Sequence, residues 1–380
     1  MGARGLMAVE RPGTRPSWSD VDLGAVAANF REVRRRVRPD VEVIASIKAN
    51  AYGHGAVEVA RTLAAEGADW LATGSFDEAV AVREAGVDRP ILLFAGPLPD
   101  AIPAALRHGF VPTVHDLELA RAVSAAGRGP ARVWIKVDSG LGRLGVPLEE
   151  AEAFARAVSG LPNVLVEGLY THLPFQDVAG RRWAADRLPA FQALAERLVR
   201  AGLPLRVTQA LSSAGILAGL EDGSSAVCPG HVLYGIPPAS ADIVDMTPFR
   251  PALRVVETRL IHLSAHPEER TAGVGGGIRL PAGAVTGVVP FGRTDGYRDA
   301  RGGERAEMLI RGRRVPVRGV SLEHTTLDLT GIETAVGDEV VVLGDQGDEA
   351  ITAVDIAGWQ GVSVDDVVLA FDRRLPRFYV

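Results

Sequence analysis

The run VIASIKANAYGHGA, residues 43–56, closes an apolar stretch on Lys48 and follows it with Tyr52, Gly53, His54 and Gly55. An ammonium is costly to bury, so a lysine at the handover from an apolar strand to a glycine-rich turn needs a chemical reason. Burial and cationic neighbours favour a neutral amine, which is a nucleophile towards a carbonyl carbon and an acid/base group for a nearby proton. Other reactive types recur in short motifs. Lys136, Asp138 and Arg143 lie in KVDSGLGR, His172 follows EGLYT, Ser212 and Ser213 are adjacent, and Cys228, Gly230 and His231 lie in CPGHVLYG.

These residues act together only if the fold brings them to one place. From about residue 41 the chain alternates short β-branched runs with longer Ala-, Leu- and Glu-rich stretches of helical period, the pattern of repeated βα units around a parallel sheet. Eight strand candidates stand in order: VEVIAS at 41, DWLATG at 69, PILLFA at 90, FVPTV at 110, ARVWIKV at 131, VLVEGLY at 164, LRVTQA at 205 and SAVC at 225. Eight strands close a (β/α)8 TIM barrel. Several intervening helices end at glycine, a common helix stop, and the segment WAADRLPAFQALAERLVRAG carries Pro189, which predicts a kink or a split there. After about residue 247, short alternating strands broken by Gly, Pro and Asp predict a mostly antiparallel β domain. The expected organisation is a loose tail at 1–17, a barrel at 18–247 and a β domain at 248–380. GVGGG at 273–277 reads as a mobile loop without the strand-to-helix setting of a phosphate loop.

The bulk properties fit this plan. The 380 residues allow two cores, and 47% apolar against 23% charged residues describes an ordinary globular protein. With 47 acidic and 41 basic side chains and a formal charge of -6, the chain offers no field for nucleic acid or an anionic membrane, so a small-molecule role is expected. The single cysteine, Cys228, excludes an intramolecular disulfide and a cysteine-based metal cluster. Neither a signal peptide nor a membrane-length apolar run is read from the sequence, which points to the cytoplasm.

In such a barrel, chemistry collects at the C-terminal ends of the strands, and phosphate often binds beyond strands 7 and 8. That rule puts Lys48, Lys136, Asp138, Arg143, His172, the two serines and Gly230 at one mouth. Taken singly, the lysine also suits a solvated rim, the serines plain helix caps, and the DSGLGR segment a loop with a local ion pair. Together they suggest a Schiff base with pyridoxal 5'-phosphate, in which the aldehyde takes the lysine and a helix N-terminus takes the phosphate. Tyr52, four residues after Lys48, falls on the same side of a following helical turn and could give its hydroxyl to the phosphate.

In order, IKANAYGHG, KVDSGLGRLGV, EGLYTHL, PGHVLYG, DGY, GVS at 319–321 and the terminal RLPRFY resemble the signatures of the alanine racemase family, from about Ser17 to Tyr379. The resemblance implies a (β/α)8 barrel with a C-terminal β domain, pyridoxal phosphate, an amino-acid substrate, and a homodimer whose sites are shared between barrel and β domain. Position by position, Lys48 is similar to the Schiff-base lysine, and Tyr52, Ser213, Gly230 and the adjoining His231 to the phosphate surroundings. Arg143 is similar to the arginine near the cofactor's phenolic oxygen and the substrate carboxylate, and His172 to the histidine packed on the pyridine ring. Lys136 matches a position that some members carbamylate.

The departures fall on the reacting end. Where the family has GYADGY, with a tyrosine base given across the dimer, this chain has GRTDGY, so Arg293 takes the base's place. An arginine stays protonated and cannot remove a Cα proton; it can grip a second anionic group, or simply pair with Asp295 or Asp299. The family's arginine at the pyridine nitrogen is Cys228, a neutral partner or merely a small packing residue. The SMD and NS positions are Leu322-Glu323 and Ser212-Ser213, and Asp365 stands for a tyrosine. The expected function is a racemase or epimerase of a non-alanine amino acid, with Lys48 as one base, Arg143, Arg293, Leu322 and Glu323 around the substrate, and His172, Ser321, His324 or water as candidates for the other base. The alternatives are a non-racemising lyase (elimination, decarboxylation or retro-aldol cleavage) and a cofactor-binding protein without turnover.

Overall fold

Eight short strands, all parallel, close on themselves in chain order: Glu42–Ser46, Trp70–Thr73, Ile91–Leu93, Val111–Val114, Ala131–Asp138, Val164–Tyr170, Val207–Ser212 and Ala226–Cys228, with the eighth paired to the first. The computed structural model describes residues 15–94, 97–221, 223–301 and 306–380. Each of the eight predicted strands is present, followed by helices that cover the ring. The strands are buried on both faces, which is why they read as continuous apolar runs. Inside, Ile44, Trp70, Leu92, Trp134, Tyr170 and Cys228 belong to one packed cluster. Trp134 pairs in register with Gly168, and a Cβ at Gly168 would lie 2.3 Å from the indole, so the large ring requires the missing side chain beside it.

The N-terminal end of the barrel is plugged by charge. The Trp70 indole lies between the guanidiniums of Arg132 and Arg206, each 5.5 Å from its ring centroid, and its N–H donates to Glu42 at 2.8 Å. Arg206 also donates to Glu167 at 3.2 Å. Such cation–π and ion-paired stacking closes the end away from the chemistry. The helix Val178–Arg200 runs unbroken through Pro189, so the predicted split does not occur.

The chain forms two compact units: Val21–Leu253 with the last two residues, and residues 15–20 with Arg254–Phe378. The second is a largely antiparallel sheet, and in it Ser17–Val21, Leu253–Arg259 and Arg377–Tyr379 are neighbours. The strand Ser17–Val21 was not among the predicted strands. All five of its residues are buried, yet SWSDV is polar: Ser17 Oγ bonds Thr258 Oγ1 at 2.8 Å and the Pro290 carbonyl at 3.0 Å, so hydrogen bonds replace the apolar alternation that betrays a strand. Of the expected tail, residues 1–14 lie outside the described residues. Arg15 grips the fully buried Asp295 through two bonds, one of 2.7 Å. The GVGGG segment is the tip of a two-stranded hairpin, Arg270–Ala272 with Ile278–Leu280.

Candidate active site

Lys48 opens a five-residue turn, Lys48–Tyr52, in which Ala49, Asn50, Ala51 and Tyr52 all have φ between 53° and 54°. The predicted helical turn is therefore present but left-handed. Four consecutive L-residues there cost about 1–2 kcal/mol each, and such strain persists only where the surroundings over-determine it. Ala51 N–H donates to the Ile47 carbonyl at 2.8 Å and Gly53 N–H to Ala49 at 2.9 Å. Asn50 N–H donates to Glu78 at 2.7 Å, and the Asn50 side chain accepts from Ala56 N–H at 2.8 Å, starting the next helix. Within the turn, the Lys48 Nζ stands 5.4 Å from the centre of the Tyr52 ring. The Tyr52 ring is held in an aromatic group with His231 at 5.1 Å and Tyr234 at 4.9 Å. His54 stacks on Tyr234 at 4.8 Å.

A cavity of about 510 Å³ opens at this end of the barrel, and its wall includes Lys48, Tyr52, Arg143, His172, Ser213 and Gly230. Lys136, Cys228 and His231 also line it. Every barrel residue singled out for the cofactor is thus brought together on one wall. Ser212 precedes the short helix Ser213–Leu217 without a side-chain capping bond, so the plain-cap reading of these serines fails. The Ser213 hydroxyl instead accepts from Gly230 N–H at 2.9 Å and Val232 N–H at 3.3 Å. A Cβ on Gly230 would lie 2.3 Å from the Tyr52 hydroxyl. The Tyr52 and Ser213 hydroxyls therefore both lie against the Gly230 backbone, where only glycine leaves room, a polar setting that suits a phosphate. The residues present fit pyridoxal phosphate.

Electrostatics sort the remaining wall. Burial, reinforced by Lys136, Lys48 and Arg143, lowers the His172 imidazole from its ordinary 6.5 to about 3, so this ring is neutral at any working pH. Burial first, then Arg143, lowers Lys136 to about 7, and its Nζ lies 4.3 Å over the Tyr170 ring. Burial raises the Cys228 thiol to about 12, leaving it protonated and uncharged. The Asp138 carboxylate accepts from the N–H groups of Gly140, Leu141 and Gly142 at 2.8–3.2 Å, so it shapes the loop carrying Arg143.

The β-domain residues form their own assembly. Arg293 N–H and Thr294 N–H donate to the carbonyls of Ser321 and Leu322 at 3.0 and 2.9 Å, joining two segments distant in sequence. Arg293 pairs with Asp299, and Asp295, the other offered partner, is taken by Arg15. Glu323 pairs with Arg374 at 2.7 Å, which lowers its carboxyl below the ordinary value, and Leu322 is 66% exposed. The segment of Arg293 is thus joined by backbone bonds to the segment that carries Leu322 and Glu323. Sequence reasoning missed Tyr170, Gln209, Phe94 and Glu78. Tyr170 was within reach, because it ends the strand two residues before His172.

The family profile for the alanine racemase N-terminal domain matches residues 21–238, and that for the C-terminal domain matches 254–379. The chain belongs to the alanine racemase family. Family members are pyridoxal-phosphate-dependent isomerases of amino acids. The alanine racemase of Symbiobacterium thermophilum is 36% identical over 372 residues, covering 97% of this chain and 98% of that one. That of Halothermothrix orenii is 32% identical over 371 residues, covering 96% and 97%. Among solved structures, the alanine racemase of Bacillus anthracis with bound L-Ala-P superposes with a TM-score of 0.89 at 29% identity, covering 97% and 96%. The Streptomyces coelicolor enzyme gives 0.87 at 28%, covering 96% and 98%. Membership accounts for both the closed barrel and the antiparallel domain.

Proposed function

We propose that this member of the alanine racemase family is a racemase or epimerase of an amino acid that carries a second anionic group, rather than of alanine. The cofactor half of the reading rests on the convergence of Lys48, Tyr52, Ser213 and Gly230 on one cavity. The substrate half is carried by Arg293, which stands where the family motif has its tyrosine base.

Bound pyridoxal phosphate supplies the electron sink that acidifies a substrate's Cα–H. Lys48 carries the cofactor and moves the Cα proton on one face. Tyr52, Ser213 and the backbone at Gly230 bind the phosphate, and the neutral His172 ring offers a flat uncharged surface to the cofactor. Arg143 neutralises the substrate carboxylate. Arg293 cannot accept a proton; its guanidinium has five N–H donors, of which Asp299 engages one terminal nitrogen, and the fork suits a carboxylate, sulfonate or phosphonate. The second proton transfer falls to Ser321, His324 or a water. In a head-to-tail homodimer, the β domain of one copy supplies Arg293, Leu322 and Glu323 to the barrel of the other.

A second reading, a lyase on the same fold, is supported by the uncharged Cys228 thiol on the cavity wall, read as standing in for the arginine of the family motif. Chiral analysis of products from a panel of L-amino acids decides. The racemase reading expects inversion of an acidic amino acid, favoured over alanine by about tenfold or more, the worth of one charge-assisted hydrogen bond. A keto acid, amine or shortened product would give the lyase; equal rates on alanine would remove the role given to Arg293.

A further inference from the structure

The left-handed turn at Lys48–Tyr52 is held from outside by one side chain that no cofactor or substrate role absorbs. Glu78 lies on the helix Phe76–Glu84, which follows the second barrel strand. The segment SFDE, residues 75–78, has the spacing of a capping box, in which the glutamate folds back to the N–H of the capping serine. The Ser75 side chain does cap, accepting from Glu78 N–H at 3.3 Å. The return bond goes elsewhere. Ser75 N–H donates to Thr73 Oγ1 at 3.1 Å, while the Glu78 carboxylate accepts from Asn50 N–H at 2.7 Å and from the Thr73 hydroxyl at 2.5 Å. One carboxylate therefore ties the end of the second barrel strand to the middle of the strained turn after the first.

We infer that Glu78 is a positioning residue, which holds the left-handed turn so that Lys48 and Tyr52 face the same cavity. The inference rests on the reading of these two residues as the cofactor's holders. Asn50 is the midpoint of the turn, and a right-handed rearrangement there would rotate Tyr52 relative to Lys48 and Gly230. A charge-assisted bond to the Asn50 N–H opposes that rearrangement.

The test titrates pyridoxal phosphate into the full-length protein after removal of bound cofactor, following absorbance of the lysine-bound form, for Glu78→Ala, Glu78→Gln and Lys48→Ala, with thermal melting of each. Glu78→Ala is expected to weaken cofactor binding about tenfold to a hundredfold, the effect of taking the charged acceptor from the half-buried Asn50 N–H. Glu78→Gln is expected to stay within about threefold, because its carbonyl oxygen still accepts from Asn50 and its amide donates to Thr73. Wild-type affinity in Glu78→Ala, or equal loss in both variants, would overturn the inference. If Glu78→Ala does not fold, Thr73→Val, isosteric and lacking the second anchor, is expected to weaken binding about threefold to tenfold, and unchanged affinity would overturn it. Lys48→Ala separates the two layers: persistence of the lysine-bound absorbance there would refute the reading of Lys48, whatever Glu78 does.

Discussion

At the scale of single residues, the site combines permanent and suppressed charges. His172 and Cys228 are uncharged because burial opposes their ionised forms, and Lys136 is held near neutrality by burial and Arg143. The signs give testable consequences. An unfolded chain keeps the Lys136 proton up to about 10.5, whereas the folded chain releases it near 7, so the unfolded state binds more protons between those values. Stability contributed by this group therefore rises with pH through that window and is level below it. Lys136→Met should flatten that rise in urea-unfolding midpoints measured from pH 7 to 10; an unchanged slope would show that Lys136 is not the group involved. Arg293→Tyr restores a side chain able to move a proton, and alanine racemisation by this variant is expected to rise about a hundredfold, the low end of general-base contributions. No rise would mean that more than this position departs from alanine chemistry.

At the scale of elements, two glycines show how backbone space sets the site. Gly230→Ala would drive a methyl into the Tyr52 hydroxyl, 2.3 Å from the Cβ position. It is expected to cut cofactor affinity about tenfold or more, with little change in the unfolding midpoint of the cofactor-free protein. Gly168→Ala meets the Trp134 indole at the same distance, in the core instead of the site, and should cost about 1–3 kcal/mol in denaturant unfolding. The eight barrel strands were legible because buried parallel strands leave unbroken β-branched runs, and Lys48, Tyr52, Ser213 and Gly230 because each sits in a motif at a strand end. The handedness of the Lys48–Tyr52 turn was not legible, since Ala49, Ala51 and Tyr52 normally avoid positive φ, Asn50 alone tolerates it, and the turn is held by distant partners such as Glu78. The diverted capping box is hidden for the same reason: its spacing is local and its partner is Asn50. The strand Ser17–Val21 escaped because its sequence is polar, and the buried Ser17 hydroxyl is satisfied by Thr258 and the Pro290 carbonyl across the sheet.

At the scale of the whole molecule, one unit holds the cofactor wall and the other holds Arg293, Leu322 and Glu323. Within the β domain, the bonds from Arg293 and Thr294 to Ser321 and Leu322 tie the two segments together. The proposed head-to-tail dimer predicts that activity falls on dilution in step with dissociation seen by sedimentation, while cofactor absorbance per chain is retained; a fully active monomer would remove the shared site. In the proposed function, Lys48 works on the Cα proton of a substrate that Arg293 recognises by its second charge. Proton NMR of the α-hydrogen in deuterated water tests it most directly, with the cofactor-loaded protein and L-alanine or L-glutamate at equal concentration. The expected result is loss of the glutamate α-proton signal with formation of the D-enantiomer, and much slower exchange of alanine. Rapid exchange and inversion of alanine, with glutamate untouched, would contradict it.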